Sequence, residues 1–231
     1  PFTFNAVRSL VAGIALIPVI LLFNRRKSSE RRQTERANRK TLILGGISCG
    51  LALGVASCLQ QMGIQYTTVG KAGFITALYI VIVPILGLFF RKKVGAKLWI
   101  SVVIAILGLY LLCMSGSLRL EKGDFLVLLC ALCFSIHIMV IDYFSPKVDG
   151  VQMSCIQFFV AAAFSAVCML PTEGIPDPQA VAISWIPILY TGVLSSGVGY
   201  TLQIIGQKGV NPTVASLVLS LESVISVLAG W

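Results

Sequence analysis

Eight apolar blocks, each about 20 residues long, leave this chain few ways to fold: they lie at about 2–23, 41–62, 72–90, 97–115, 123–144, 151–171, 184–205 and 212–231. An α-helix rises about 1.5 Å per residue, so about 20 residues cross a hydrocarbon core about 30 Å thick. The blocks are too long for buried strands and most connectors are short, which favours helices over a barrel. Charged residues make up only 12% of the chain, about half the roughly 25% of a soluble domain. The chain therefore reads as an all-α, polytopic membrane helical bundle with eight spans.

Basic residues set the orientation. Connector 24–40 holds eight Lys/Arg, and 91–97 holds four with no acid. Alternation puts connectors 145–150 and 206–211 on the same side, giving fourteen Lys/Arg there against three in 63–71, 116–124 and 172–183. By the positive-inside rule, loops 24–40 and 91–97 of this multi-pass membrane protein are cytoplasmic. The net charge of +9 is thus explained by topology rather than by a nucleic-acid partner. Anionic lipid headgroups are compatible with the same loop.

Motifs for chemistry are sparse. All seven cysteines lie within apolar blocks, where Cys behaves as a small apolar packer. Cys130 and Cys133 form a C-x-x-C without the further ligands of a zinc site. TTVGKAG at 67–73 imitates the end of a phosphate-binding loop, but Gln65 and Ala72 stand where that loop needs Gly and Ser/Thr. No catalytic residues and no nucleotide or metal cofactor are implied. Gly46, Gly50 and Gly54 form two overlapping GxxxG units, read as a helix-packing face.

An internal repeat organises the chain. A shift of 143 positions aligns 43–88 with 186–231 without a gap, with 12 of 46 positions identical, including the strings LQQMG (59–63) and LQIIG (202–206). Block one also aligns with block six, setting Arg8 opposite Gln157. Blocks one to three therefore correspond to blocks six to eight. A displacement of five spans is odd, so the copies enter the membrane from opposite sides, the inverted-topology plan of many secondary transporters. On this reading residues 1–116 are the first repeat and 117–231 the second. The intact protein has ten spans in a 5+5 arrangement, and this chain is a fragment lacking the first and last.

GKAGFITALYIVIVPILGLFF (70–90), LQQMG and PTVASLVLSLESV (212–224), together with the repeat, resemble the EamA-type family of the drug/metabolite transporter superfamily across essentially the whole chain. The resemblance implies a ten-helix secondary transporter with a central cavity between its halves, and many such proteins export amino acids, other metabolites or drugs. Two positions depart from the family pattern. Ser223 stands where Pro often follows the Leu-Glu pair, and Arg91, Lys92 and Lys93 stand where an acid often follows the fourth span.

Glu222 is the only charge in the last block, about ten residues in and so about 15 Å deep. Insertion scales set the cost of an Asp at mid-membrane at about 2.5–3.5 kcal/mol. Glu222 thus either serves transport, by touching solute or carrying a coupling proton, or is a protonated packing element. Tyr79 is its repeat partner and shares a helix face with Ala72 and Thr76 at spacings of four and three. Inverted symmetry brings Tyr79 towards Glu222. Gln60 and Gln203 are symmetry mates that line the cavity or fasten span ends, and His137 is a helix contact or a ligand. Arg8, Lys71 and Asp142 lie near span ends, with Arg8 read as snorkelling to the interface.

The combined reading is a permease that moves a small organic solute such as an amino acid, metabolite or drug by alternating access, with a proton or another cation as coupling ion. The lipid bilayer is its other partner, and a homodimer stays open. A membrane-embedded enzyme, a non-transporting scaffold and a channel are the alternatives. Catalysis would cluster polar residues near one interface, whereas these are scattered singly at depth.

Overall fold

A computed structural model of the protein describes residues 1–25, 35, 37–92, 95–113, 121–176 and 178–229. Most of the basic connector (26–34 and 36), residues 93–94, and Gly230 and Trp231 at the end of the last block lie outside the described residues.

Among the described residues there is no strand. Six helical stretches are long and apolar enough to cross a membrane: Phe2–Arg25, Arg39–Ile64, Gly70–Phe89, Lys122–Phe144, Gly150–Thr172 and Trp185–Gly206. The fourth and eighth blocks coincide with shorter apolar helices, Ala96–Leu111 and Pro212–Ile225. The protein is a polytopic helical membrane bundle.

In chain order the helices are α1 (Phe2–Arg25), α2 (Arg39–Ile64), α3 (Val69–Ala77), α4 (Tyr79–Phe89), α5 (Ala96–Cys113), α6 (Lys122–Phe144), α7 (Gly150–Thr172), α8 (Pro178–Ile183) and α9 (Trp185–Leu189). A π-helical segment (Tyr190–Tyr200) follows, then α10 (Thr201–Gly206), α11 (Pro212–Leu219) and α12 (Leu221–Ala229). Side chains start several of these helices: Asp149 accepts from the amides of Val151 and Gln152, Thr68 from Lys71 and Asn211 from Thr213. Each satisfies donors that the first turn leaves unpaired, which matters most where no water is at hand.

Two compact units emerge, one of residues 1–58 and 140–209, the other of 59–139 and 210–231. Each draws on both halves of the chain, and α2 and α6 contribute to both.

In the first unit α1 packs along α7 and against the π-helical segment. The GxxxG face of α2 meets α7: a Cβ on Gly46 would fall 2.5 Å from Ile156 Cγ2, and one on Gly50 2.6 Å from the Gln157 carbonyl oxygen. Close backbone approach replaces the hydrophobic drive that lipid cannot supply, so the packing reading of the three glycines holds. Gly192 does the same for the π-helical segment, where a Cβ would stand 2.9 Å from Val11 Cγ1. This segment is rich in Gly and Ser, and its wide turn departs from the uniform helix implied by an unbroken apolar block. The Thr191 hydroxyl donates to the Pro187 carbonyl at its start.

In the second unit the third block is irregular at one residue, whose backbone stays right-handed helical. Leu78 separates α3 from α4, with its amide bonded to Ile75 three residues back, at 3.1 Å. The eighth block is irregular at Ser220, between α11 and α12, where the amide keeps its helical bond to Ser216 and the Ser220 hydroxyl donates to the Leu217 carbonyl at 2.7 Å. Helix α11 packs on α4 and α12 on α3. Since α4 follows α3 whereas α11 precedes α12, the two broken helices pass each other in opposite directions. Their shared core is Ala77, Tyr79, Ile80, Val83, Leu109 and Ile138, with Leu219 and Val224 packed against it.

Candidate transport site

The second unit holds five of the six residues singled out in the sequence. Gln60, near the end of α2, reaches the last turn of α3, where its Nε2 donates to Thr76 Oγ1 at 3.5 Å. This long contact ties the LQQMG string to the polar face of the third block. Tyr79 opens α4 directly after the Leu78 break and is buried in the core. His137 on α6 is fully buried, beside the core residue Ile138.

Glu222 is the second residue of α12, just past the Ser220 break. It is exposed, as are Leu221 and Ile225, whereas Leu219 and Val224 on either side pack onto the core. Its carboxylate has no hydrogen bond or ion pair among the described residues. Tyr79 and Glu222 therefore follow their respective breaks by one and two residues, but one side chain enters the unit's core and the other stands outside it. Gln203 lies in the first unit on α10, half-buried. Two residues before it, the buried Thr201 hydroxyl is 2.7 Å from that of Ser154 on α7.

The strongest polar arrangement joins residues whose pairing sequence reasoning missed. Asp124, in the first turn of α6, has a side chain with no solvent exposure and pairs with Lys71 of α3. It accepts from the Thr67 hydroxyl at 2.7 Å and the Glu121 amide at 2.8 Å. Lys71, near a span end, is thus tied to α6. Beside it the backbones meet: a Cβ on Gly123 would come 2.6 Å from the Gly63 carbonyl oxygen. The last Gly of LQQMG is therefore a docking point for α6. Connectors 63–71 and 116–124 fall on the same predicted side, which is the one sequence signal for this pair.

The first unit has its own end clasp. The Glu173 carboxylate, just beyond α7, accepts from the amides of Phe2 and Thr3, each at 2.9 Å, and from the Thr3 hydroxyl at 2.6 Å. Partial burial pushes the Glu173 carboxyl up, but the Thr3 hydroxyl and the amides of Phe2 and Thr3 hold it down, below the ordinary carboxylate value. A carboxylate over the first turn also satisfies free helix N–H groups.

Two antiparallel broken helices in an all-helical membrane bundle make a recognisable arrangement, and the sequence comparison gives it a family. Residues 1–114 and 121–231 match the EamA-like transporter family. The chain belongs to that family. An uncharacterized transporter of Archaeoglobus fulgidus is 29% identical over 227 residues, which is 98% of this chain and 67% of that protein. The uncharacterized transporter YoaV of Bacillus subtilis is 20% identical over 237 residues, 100% of this chain and 78% of its own length. A crystal structure of a protein 18% identical superposes with a TM-score of 0.75 over 100% of this chain and 79% of its own. That likeness speaks for the fold alone. As an EamA-family protein, the chain is a membrane transporter and takes a solute and a lipid bilayer as partners. Family membership points to transport and away from catalysis.

Proposed function

We propose that this EamA-family protein is a secondary active transporter of the plasma membrane that moves a small organic solute, such as an amino acid, metabolite or drug, by alternating access. Its basic loops face the cytoplasm. The observation that carries the reading is the pair of breaks at Leu78 and Ser220 in helices running in opposite directions. They lie 142 residues apart, within one residue of the repeat shift of 143. Irregular points at matching positions of oppositely directed helices are where many secondary transporters place their solute and ion sites; here the backbone bonds at Leu78 and Ser220 are retained.

Glu222 is the residue through which solute or a coupling proton acts on the broken helices. Glu222 stands beside the exposed apolar Leu221 and Ile225 without a protein partner, and an acid left against acyl chains is costly, which favours an aqueous route beside it. Thr76 and Gln60 form a second polar element beside the Leu78 break, with Tyr79, His137 and Gln203 as further members of the pathway.

The test is solute uptake into proteoliposomes under an imposed pH gradient, comparing wild type with Glu222→Gln. Loss of pH-dependent uptake with retained folding supports the proposal. Unchanged uptake with unchanged pH dependence removes Glu222 from the mechanism, and non-saturable flux that never runs against a gradient favours a channel.

A further inference from the structure

We infer that Arg8 and Asn5 on α1 form a binding site for a small organic anion, holding its carboxylate or phosphate at the Arg8 guanidinium and a neighbouring hydrogen-bond donor at Asn5 Oδ1. The inference rests on the reading of the chain as a solute carrier and lies wholly within the first unit.

Arg8 is six residues past Phe2, about 9 Å along the helix. Its Nε is buried without a partner, and its guanidinium makes no hydrogen bond or ion pair among the described residues. The Phe4 ring lies 5.8 Å from it. The buried Nε runs against plain snorkelling, which would carry the whole head group to the interface. Asn5, one turn earlier, is buried. Its Nδ2 donates to the Ser57 carbonyl at 3.1 Å, while Oδ1 is buried without a partner. A carbonyl only accepts, so the orphan atom of this amide is the oxygen.

Neutral polar side chains lie nearby among the described residues. Asn5, Arg8 and Ser165 all lie close enough to the Cys58 thiol to act on it, and Cys58 Sγ is 3.6 Å from the Ser165 hydroxyl. The acid at this end of α1, Glu173, is engaged by Phe2 and Thr3. A fork of N–H donors without an acid, set one turn from an unused acceptor, matches an oxyanion with an adjacent O–H or N–H. Removing such a pairing leaves both buried groups unsatisfied again, which is the basis of strong discrimination against a ligand lacking either part.

The test uses the purified protein in lipid nanodiscs, with thermal unfolding followed during titration by lactate, lactamide, glycerol 3-phosphate and glycerol. At least one of the two anions should raise Tm saturably while its neutral counterpart does not. Arg8→Gln should weaken the apparent affinity at least tenfold, and Arg8→Lys should retain part of it. A response to lactate alone assigns a carboxylate, and to glycerol 3-phosphate alone a phosphate. The site is overturned if neither anion acts, if lactamide or glycerol matches its anion, or if Arg8→Gln binds as wild type does. Should Arg8→Gln not fold, the charged-against-neutral comparison on wild type and Arg8→Lys decides. Anion binding without any flux would remove the carrier reading and keep the site. Flux of neutral solutes without anion binding would do the reverse.

Discussion

Lys71 and Asp124 close an ion pair across 53 residues of chain, joining the first turn of α3 to the first turn of α6 with the acid wholly shielded from solvent. Two further hydrogen bonds satisfy the carboxylate. Breaking a buried pair from one side typically costs about 3–5 kcal/mol, because the other charge is left unpaired, whereas replacing both partners by apolar groups is much milder. Asp124→Leu and Lys71→Met should each lower the unfolding temperature in detergent clearly, and the double variant should recover most of the loss. Additive losses would show that the two side chains do not act as a pair.

Glycine tolerance should divide by contact. Gly50→Val drives side-chain atoms into the Gln157 backbone and Val160, and overpacking of that order typically costs about 1–3 kcal/mol. Gly73, inside α3, has nothing within 4 Å of an added Cβ, so Gly73→Ala should be neutral or stabilise by about 0.5–1 kcal/mol through helix propensity. Parallel unfolding curves measure both. A harmless Gly50→Val would mean that α2 and α7 do not pack through this face.

The Gln60 to Thr76 bond is long, 3.5 Å, and a neutral hydrogen bond contributes about 0.5–1.5 kcal/mol at best. Thr76→Val keeps the shape and removes the acceptor. On the proposed pathway it should reduce solute uptake at least threefold while changing stability little. Unaltered uptake would assign this pair to fastening α2 to α3.

Glu173 makes an acid-side prediction. Its folded pKa lies below the ordinary carboxylate value of about 4.3. Its stabilising contribution is therefore complete above the ordinary value and is lost as pH falls through the folded value. The difference in unfolding temperature between wild type and Glu173→Gln should be largest near neutral pH and shrink as pH falls below about 4.3. A constant difference over that window would mean the carboxylate charge is not what holds the start of α1.

Much of the architecture was legible because lipid leaves few choices. Apolar length alone located Phe2–Arg25, Lys122–Phe144 and Gly150–Thr172 within a few residues of their observed ends, and small residues spaced by four marked the α2 face that meets α7. The breaks at Leu78 and Ser220 were hidden, since each lies inside an unbroken apolar run and comes from local bonding such as the Ser220 hydroxyl on Leu217. The π-helical turn at Tyr190–Tyr200 escaped for the same reason, composition being blind to hydrogen-bond register. Asp124 with Lys71 and Asn5 with Ser57 join residues more than 50 positions apart, and no local pattern announces such pairings. At the candidate site, sequence singled out Gln60 and Thr76 separately, and their contact comes from the packing of α2 against α3. The exposed side taken by Glu222 depends on which neighbours α12 meets, which periodicity does not encode.

The most direct test of the central idea, that the broken helices line an aqueous route opening to each side in turn, is sided accessibility at position 222. With the seven native cysteines replaced, Glu222→Cys in oriented vesicles is treated with a membrane-impermeant thiol reagent from either face. Labelling from both faces, slowed by transported solute, is the predicted result. No labelling from either face, with ready reaction towards a lipid-soluble thiol reagent, would place position 222 against acyl chains and contradict the carrier mechanism proposed here.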